Sequence, residues 1–156
     1  MTDRIRTDDR LFTNTIRALY PETVDAPESE LEQHKEQWLR RFQSDGWYMI
    51  EALNISLPHE ETKDQRQELI RAGLPDLIER IKKLAERDTK IILIKSNVFE
   101  VATEPLRKAG FRVLNRELVD YPGQYNQRSY REKLAKLARL GGIQAAGQGD
   151  HKPILD

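Results

Sequence analysis

The stretch IILIKSNVFE, Ile91 to Glu100, decides the fold. Its first four residues form an unbroken apolar run of strand length, the pattern of a central strand in a parallel sheet with helices over both faces. Lys95, Ser96 and Asn97 then leave the strand, and Asn97 with Glu100 has the spacing of a helix cap. Reading outward, FRVL at Phe111–Leu114 and WYMIEAL at Trp47–Leu53 are further strands, rich in aromatic and aliphatic residues.

Helices fill the intervals. Thr62 with Gln65 forms a capping box that opens one helix, which Gly73 terminates. A second starts near Pro75 and places Leu77, Ile78, Ile81, Leu84 and Ala85 on one face. The helix after Asn97 meets Pro105, which interrupts or kinks it before Gly110 ends it. Upstream, Leu11, Phe12, Ile16 and Leu19 recur at helical spacing up to Pro21. Ser29 with Glu32 opens a helix whose apolar stripe is Leu31, Trp38, Leu39 and Phe42, ending at Gly46. Ser129 with Glu132 opens the last one, with Tyr130, Leu134, Leu137 and Ala138 on its buried face and Gly141 and Gly142 at its end. The order predicts an α/β three-layer sandwich with a short, mostly parallel sheet flanked by helices. One domain is expected over 1–142, with a helical N-terminal part at 8–45 and a flexible tail at 143–156.

At 156 residues, with 33% charged and 38% hydrophobic residues, the composition suits one folded domain. No apolar run approaches membrane-spanning length, so no membrane partner is expected. The chain has no cysteine, hence neither a disulfide framework nor a thiolate metal site. MTDRIRTDDR, at the N-terminus, lacks the apolar centre of a secretion signal, and a cytoplasmic location is expected. The formal net charge is zero, but its distribution is uneven. Glu22, Asp25, Glu28, Glu30, Glu32 and Glu36 face Lys35 alone, whereas Arg128, Arg131, Lys133, Lys136 and Arg139 face Glu132 alone. Such a dipole steers anions toward the basic end, although basic helices also serve simply as solvated faces.

In parallel α/β sheets ligands bind beyond the carboxyl ends of the strands. That rule selects the loops Asn54–Glu61, Lys95–Asn97 and Leu118–Arg128. In the second, backbone amides and the Lys95 ammonium can converge on a phosphate beside Ser96 and Asn97; capping equally explains Asn97, and a solvated strand end Lys95. In the first, His59 is placed to act as a general acid or base, with Asn54 beside it, yet it has no visible partner. His34 and His151 complete no metal spacing, no glycine-rich phosphate loop or nucleophile elbow is present, and no catalytic residue is assigned. No cofactor and no metal are expected. The third loop is the most distinctive. Pro122 and Gly123 set a turn, Gln124 and Asn126 offer amide donors and acceptors, and Tyr125 offers a ring able to stack on a base. Arg128 and Arg131 follow on a basic helix, so the chemistry suits a nucleic-acid backbone or base stack.

IILIKSNVFE and YPGQYNQRSYREKLAKL together resemble segments of the uracil-DNA glycosylase superfamily, over roughly Trp47 to Leu140. The second resembles the late Pro-Ser or Pro-Gly loop and its helix, notably in the mismatch-specific branch. The resemblance implies an α/β sandwich in which Pro122, Gly123, Gln124, Tyr125 and Asn126 face DNA and Arg128 contacts a phosphate. It implies base reading near Asn54. The family's early glycine- and proline-rich motif, which positions the water-activating residue, has no counterpart before Trp47, and Tyr121 stands where several branches carry histidine. A catalytically silent or incomplete glycosylase-like domain that binds DNA is therefore expected. In the family the missing strand is central, so an unfilled place in the sheet is expected too, unless upstream sequence supplies it. Two other readings stand beside this one: a small-molecule or nucleotide-phosphate enzyme working at Lys95, Ser96 and Asn97, and a protein-interaction domain assembled through its acidic and basic ends. Oligomeric state is left open.

Overall fold

The computed structural model describes residues 2–53, 61–86, 88–142 and 154–155. It is of mixed α/β class: seven α-helices and a short, wholly parallel sheet among those residues. Two compact units divide the chain where the sequence suggests one domain. One comprises 1–46 with 120–150, the other 47–119 with 151–156.

The first unit is helical. Helix α1 (Thr2–Leu19) ends at Tyr20, and Pro21 opens a single 3-10 turn, as a residue lacking an amide proton readily does. Helices α2 (Glu28–Gln33) and α3 (Lys35–Ser44) follow, then α7 (Gln127–Leu140), which packs on α1. The predicted helix from Ser29 to Gly46 is divided at His34, and Ser29 makes no cap bond. Pro27 is the N-cap instead: its extended backbone presents a carbonyl that accepts from the amides of Glu30 and Leu31, so the helix starts before Ser29 can cap it. The division turns Leu39 outward, 44% exposed, while Leu31 and Phe42 remain buried. Between α1 and α7 the buried hydroxyls of Thr15 and Tyr130 bond at 2.7 Å. A second anchor joins Tyr20 to Asp45 at 2.5 Å, with the Arg41 guanidinium 4.4 Å from the Tyr20 ring centroid. Burial, then the bond to Asp45 and its charge, raise the Tyr20 phenol well above its ordinary value.

The second unit holds the sheet, in the order β1 (Tyr48–Met49), β4 (Ile154–Leu155), β2 (Lys90–Ile92), β3 (Arg112–Val113). The strands run parallel as expected, but they are shorter than the apolar runs that announce them. An unfilled place in the sheet is expected from the resemblance; among the described residues β4 stands between β1 and β2. Ile154 pairs with Tyr48 on one side and Ile91 on the other, and Leu155 with Met49 and Ile92. These two residues belong to the segment expected to be a flexible tail; pairing both flanks satisfies strand donors and acceptors that would otherwise remain open.

One sheet face is covered by helices α4 (Lys63–Ala72), α5 (Leu74–Leu84) and α6 (Ser96–Lys108). Ile91, Leu93 and Val113 meet Ile70, Leu77, Ile81, Val98 and Leu106 in one apolar core. Alternation sends Ile92, Ile94 and Leu114 to the opposite face, where all three are also buried. The Thr62 capping box forms as predicted: the hydroxyl accepts from the Gln65 amide at 3.2 Å and the Gln65 side chain returns to the Thr62 amide at 2.9 Å. Helix α6 runs through Pro105 rather than ending there. It closes at Gly110, whose φ of 94° favours glycine, and the Phe111 amide reaches back to the Leu106 carbonyl at 3.1 Å.

Candidate functional site

Pro122 to Arg131 lies wholly in the helical unit, and its geometry is built around Asn126. The Asn126 carboxamide accepts from the Gly123 amide at 2.6 Å and donates to the Tyr121 carbonyl at 2.7 Å, closing the Pro-Gly turn from both sides. A Cβ on Gly123 would lie 3.3 Å from that same oxygen, so a larger residue there would require the Asn126 side chain to shift by a few tenths of an ångström. Pro122 is buried beneath the turn. The Asn126 carbonyl accepts from the Tyr130 amide at 3.0 Å, and α7 begins at Gln127. Ser129 therefore sits inside the first turn and makes no cap, contrary to the capping box predicted there; Glu132 accepts from Arg128 instead, at 2.9 Å.

The braced turn holds Tyr125 in solvent, 92% exposed. Gln124 is exposed beside it. Arg128 is 84% exposed, and Arg131, one helical turn on, is partly buried. Two α1 residues that local sequence did not single out complete the arrangement. Asn14, buried at 1%, accepts from Arg131 at 2.6 Å and donates to Gln127 at 3.2 Å and to the Arg10 carbonyl at 2.7 Å. Arg17 donates to the Ala26 carbonyl at 2.9 Å, and its buried Nε has no hydrogen-bond partner. Burial, then repulsion from Arg17 and Arg128, hold the Arg131 guanidinium below its ordinary value, with Glu132 opposing. Among the described residues, Arg17 and Arg128 act on Arg131 as like charges and Glu132 as the opposing one.

The other candidates belong to the sheet unit or lie outside the described residues. Asn54 and His59 lie outside the described residues. Lys95, Ser96 and Asn97 come together at the carboxyl end of β2, in the sheet unit. Lys95 is the N-cap of α6, with φ 82°, the sole non-glycine residue of positive φ among the described residues. Its amide bonds the Val119 carbonyl at 2.9 Å. Asn97 is not the cap expected of it. The helix starts one residue before it, and its side-chain oxygen accepts from Gln67 at 3.2 Å, tying α6 to α4. Gln67 also donates to Glu100 at 2.5 Å, which removes Glu100 from any capping role.

A cavity of about 350 Å³ opens at the amino ends of β2 and β3, the rim opposite to the one expected, lined by Lys82, Glu86, Asp88, Thr89, Phe111 and Arg112. Its acids and bases are balanced and favour no ligand charge. Among the described residues no cluster of three or more His, Asp or Glu could hold a metal ion, and no helix is long and apolar enough to cross a membrane. No known family, curated protein or solved structure matches the chain.

Proposed function

We propose that the protein is a cytoplasmic nucleic-acid-binding domain of uracil-DNA glycosylase-like type, catalytically silent or incomplete, with DNA as its partner. The observation that carries the reading is a bare aromatic ring, Tyr125, braced by Asn126 directly ahead of Arg128 and Arg131. Stacking and charge are the two terms by which nucleic-acid strands are held with little regard to sequence. A three-layer sandwich with a short, mostly parallel sheet belongs to the same reading. On this reading Gln124 and Tyr125 face the nucleic acid and Arg128 with Arg131 contacts its phosphates, whereas Pro122, expected to face DNA as well, is buried and with Gly123 and Asn126 shapes the turn.

The reading is tested by fluorescence anisotropy with a labelled DNA oligonucleotide over a salt series. Affinity should fall steeply as salt rises, and Arg128→Ala should weaken binding about two- to threefold at low salt while flattening the log–log slope by about one. Undetectable binding at low salt, or binding that salt leaves unchanged, rejects it.

One observation favours a second reading. The strained Lys95 backbone sits where β2 opens into α6, the position at which parallel sheets take phosphate-bearing small molecules. On that reading Lys95, Ser96 and Asn97 form the site, and a nucleotide rather than a strand is bound.

A further inference from the structure

Resting on the nucleic-acid reading above, we infer that the site takes an unpaired strand in preference to a paired duplex. Tyr125 presents a ring 92% exposed, with no hydrogen bond or ring contact among the described residues. Its turn is already fixed by the two Asn126 bonds of 2.6 and 2.7 Å, so stacking a base on it orders little that was not ordered before. Beside it the exposed Arg128 and the partly buried Arg131 are spaced one helical turn apart, enough to follow one or two phosphates of a single strand.

Magnitudes decide between strand and duplex. One base stacked on one aromatic ring strengthens binding by roughly fivefold to a hundredfold, as alanine substitution reads it. In a duplex every base is already stacked, and prising open one step costs as much as a single new stack returns. Wedge-using proteins recover that cost by wrapping bent DNA over a broad surface. Close to the ring in sequence stand Gln124, Arg128 and Arg131, groups that suit contact with a few nucleotides. A free strand offers the same phosphates and an unstacked base without the opening cost.

The experiment compares one labelled oligonucleotide of about ten residues, alone and annealed to its complement, at equal low salt, with wild type, Tyr125→Ala and Tyr125→Phe. The single strand should bind about tenfold more tightly than the duplex. Tyr125→Ala should lose about five- to tenfold on the single strand and little on the duplex, and Tyr125→Phe should keep the wild-type value, since stacking needs only the ring. Equal or tighter duplex binding, or single-strand binding indifferent to Tyr125→Ala, overturns the preference while leaving nucleic-acid binding in place. Failure of wild type to bind either form overturns the nucleic-acid reading and the preference with it. Because Tyr125 is exposed and unbonded, all three proteins should share one melting temperature, which separates a lost contact from a lost fold.

Discussion

Asn115→Ala is expected to destabilise the sheet unit by about 2–4 kcal/mol, because two buried backbone groups lose their partners at once. Strands β2 and β3 are short, and past Ile92 the ladder is continued by a side chain. Asn115, 1% exposed, accepts from the Leu93 amide at 2.7 Å and donates to the Leu93 carbonyl at 2.9 Å, as a paired strand residue would. Leu93 is itself 1% exposed, so water cannot replace the lost bonds. Nearby, the Leu114 amide bonds the Ile91 carbonyl at 2.8 Å, and Arg107 donates to the Asn115 backbone carbonyl at 2.7 Å, so Asn115 is anchored through its backbone as well as its side chain. Urea unfolding should show a lower midpoint with an unchanged slope. Asn115→Asp should be equally harmful, since a carboxylate still accepts from Leu93 but cannot donate and brings an unpaired charge. A loss under about 0.5 kcal/mol for either change would mean that the side chain does not bridge the strands.

Lys90→Met should do the reverse and raise stability at neutral pH by about 1–2 kcal/mol. Lys90 is 2% exposed at the start of β2. In the parallel register it pairs with Arg112, so the two cations project to the same sheet face. Burial first, then Arg112, lower the Lys90 ammonium from its ordinary value, and Asp88 offsets part of this. The sign follows from proton counting. Between the lowered folded value and the unfolded value of about 10.4, the unfolded chain binds more protons than the folded one, so wild-type stability rises with pH through that window. The penalty is fully present below the window and gone above it. Thermal melts should therefore show the Lys90→Met gain undiminished at neutral pH and shrinking toward pH 10; a gain independent of pH would assign it to packing alone.

Signals confined to a few consecutive residues were read well only where nothing nearby competed. Thr62–Gln65, Ser29–Glu32 and Ser129–Glu132 share one spacing, yet only the first forms a capping box. Pro27 and Asn126 start the other two helices early, through an extended backbone in one case and a braced turn in the other. The apolar run Ile91–Ile94 marked the central strand correctly because burial on both faces leaves an unbroken signature. Ile154 and Leu155 carry no such signature, being two apolar residues after a polar stretch, and their place in the sheet depends on partners over 60 residues away. Asn115, just beyond the FRVL strand, is not singled out by the sequence, since a side chain that imitates a backbone ladder leaves no periodicity. Within the site, the Pro-Gly turn and its following arginines were legible from local chemistry. Asn14 and Arg17 were not: more than 100 residues separate them from Arg131, and only the packing of α1 on α7 brings them together.

Amide hydrogen exchange with and without a saturating oligonucleotide tests the central claim most directly, because it locates the bound strand without presuming where it lies. Protection should appear over 121–131 and over the α1 segment around Asn14, and Lys95 to Phe99 should exchange as in the free protein. Protection confined to Lys95–Phe99, or none at concentrations where anisotropy reports binding, would contradict the account.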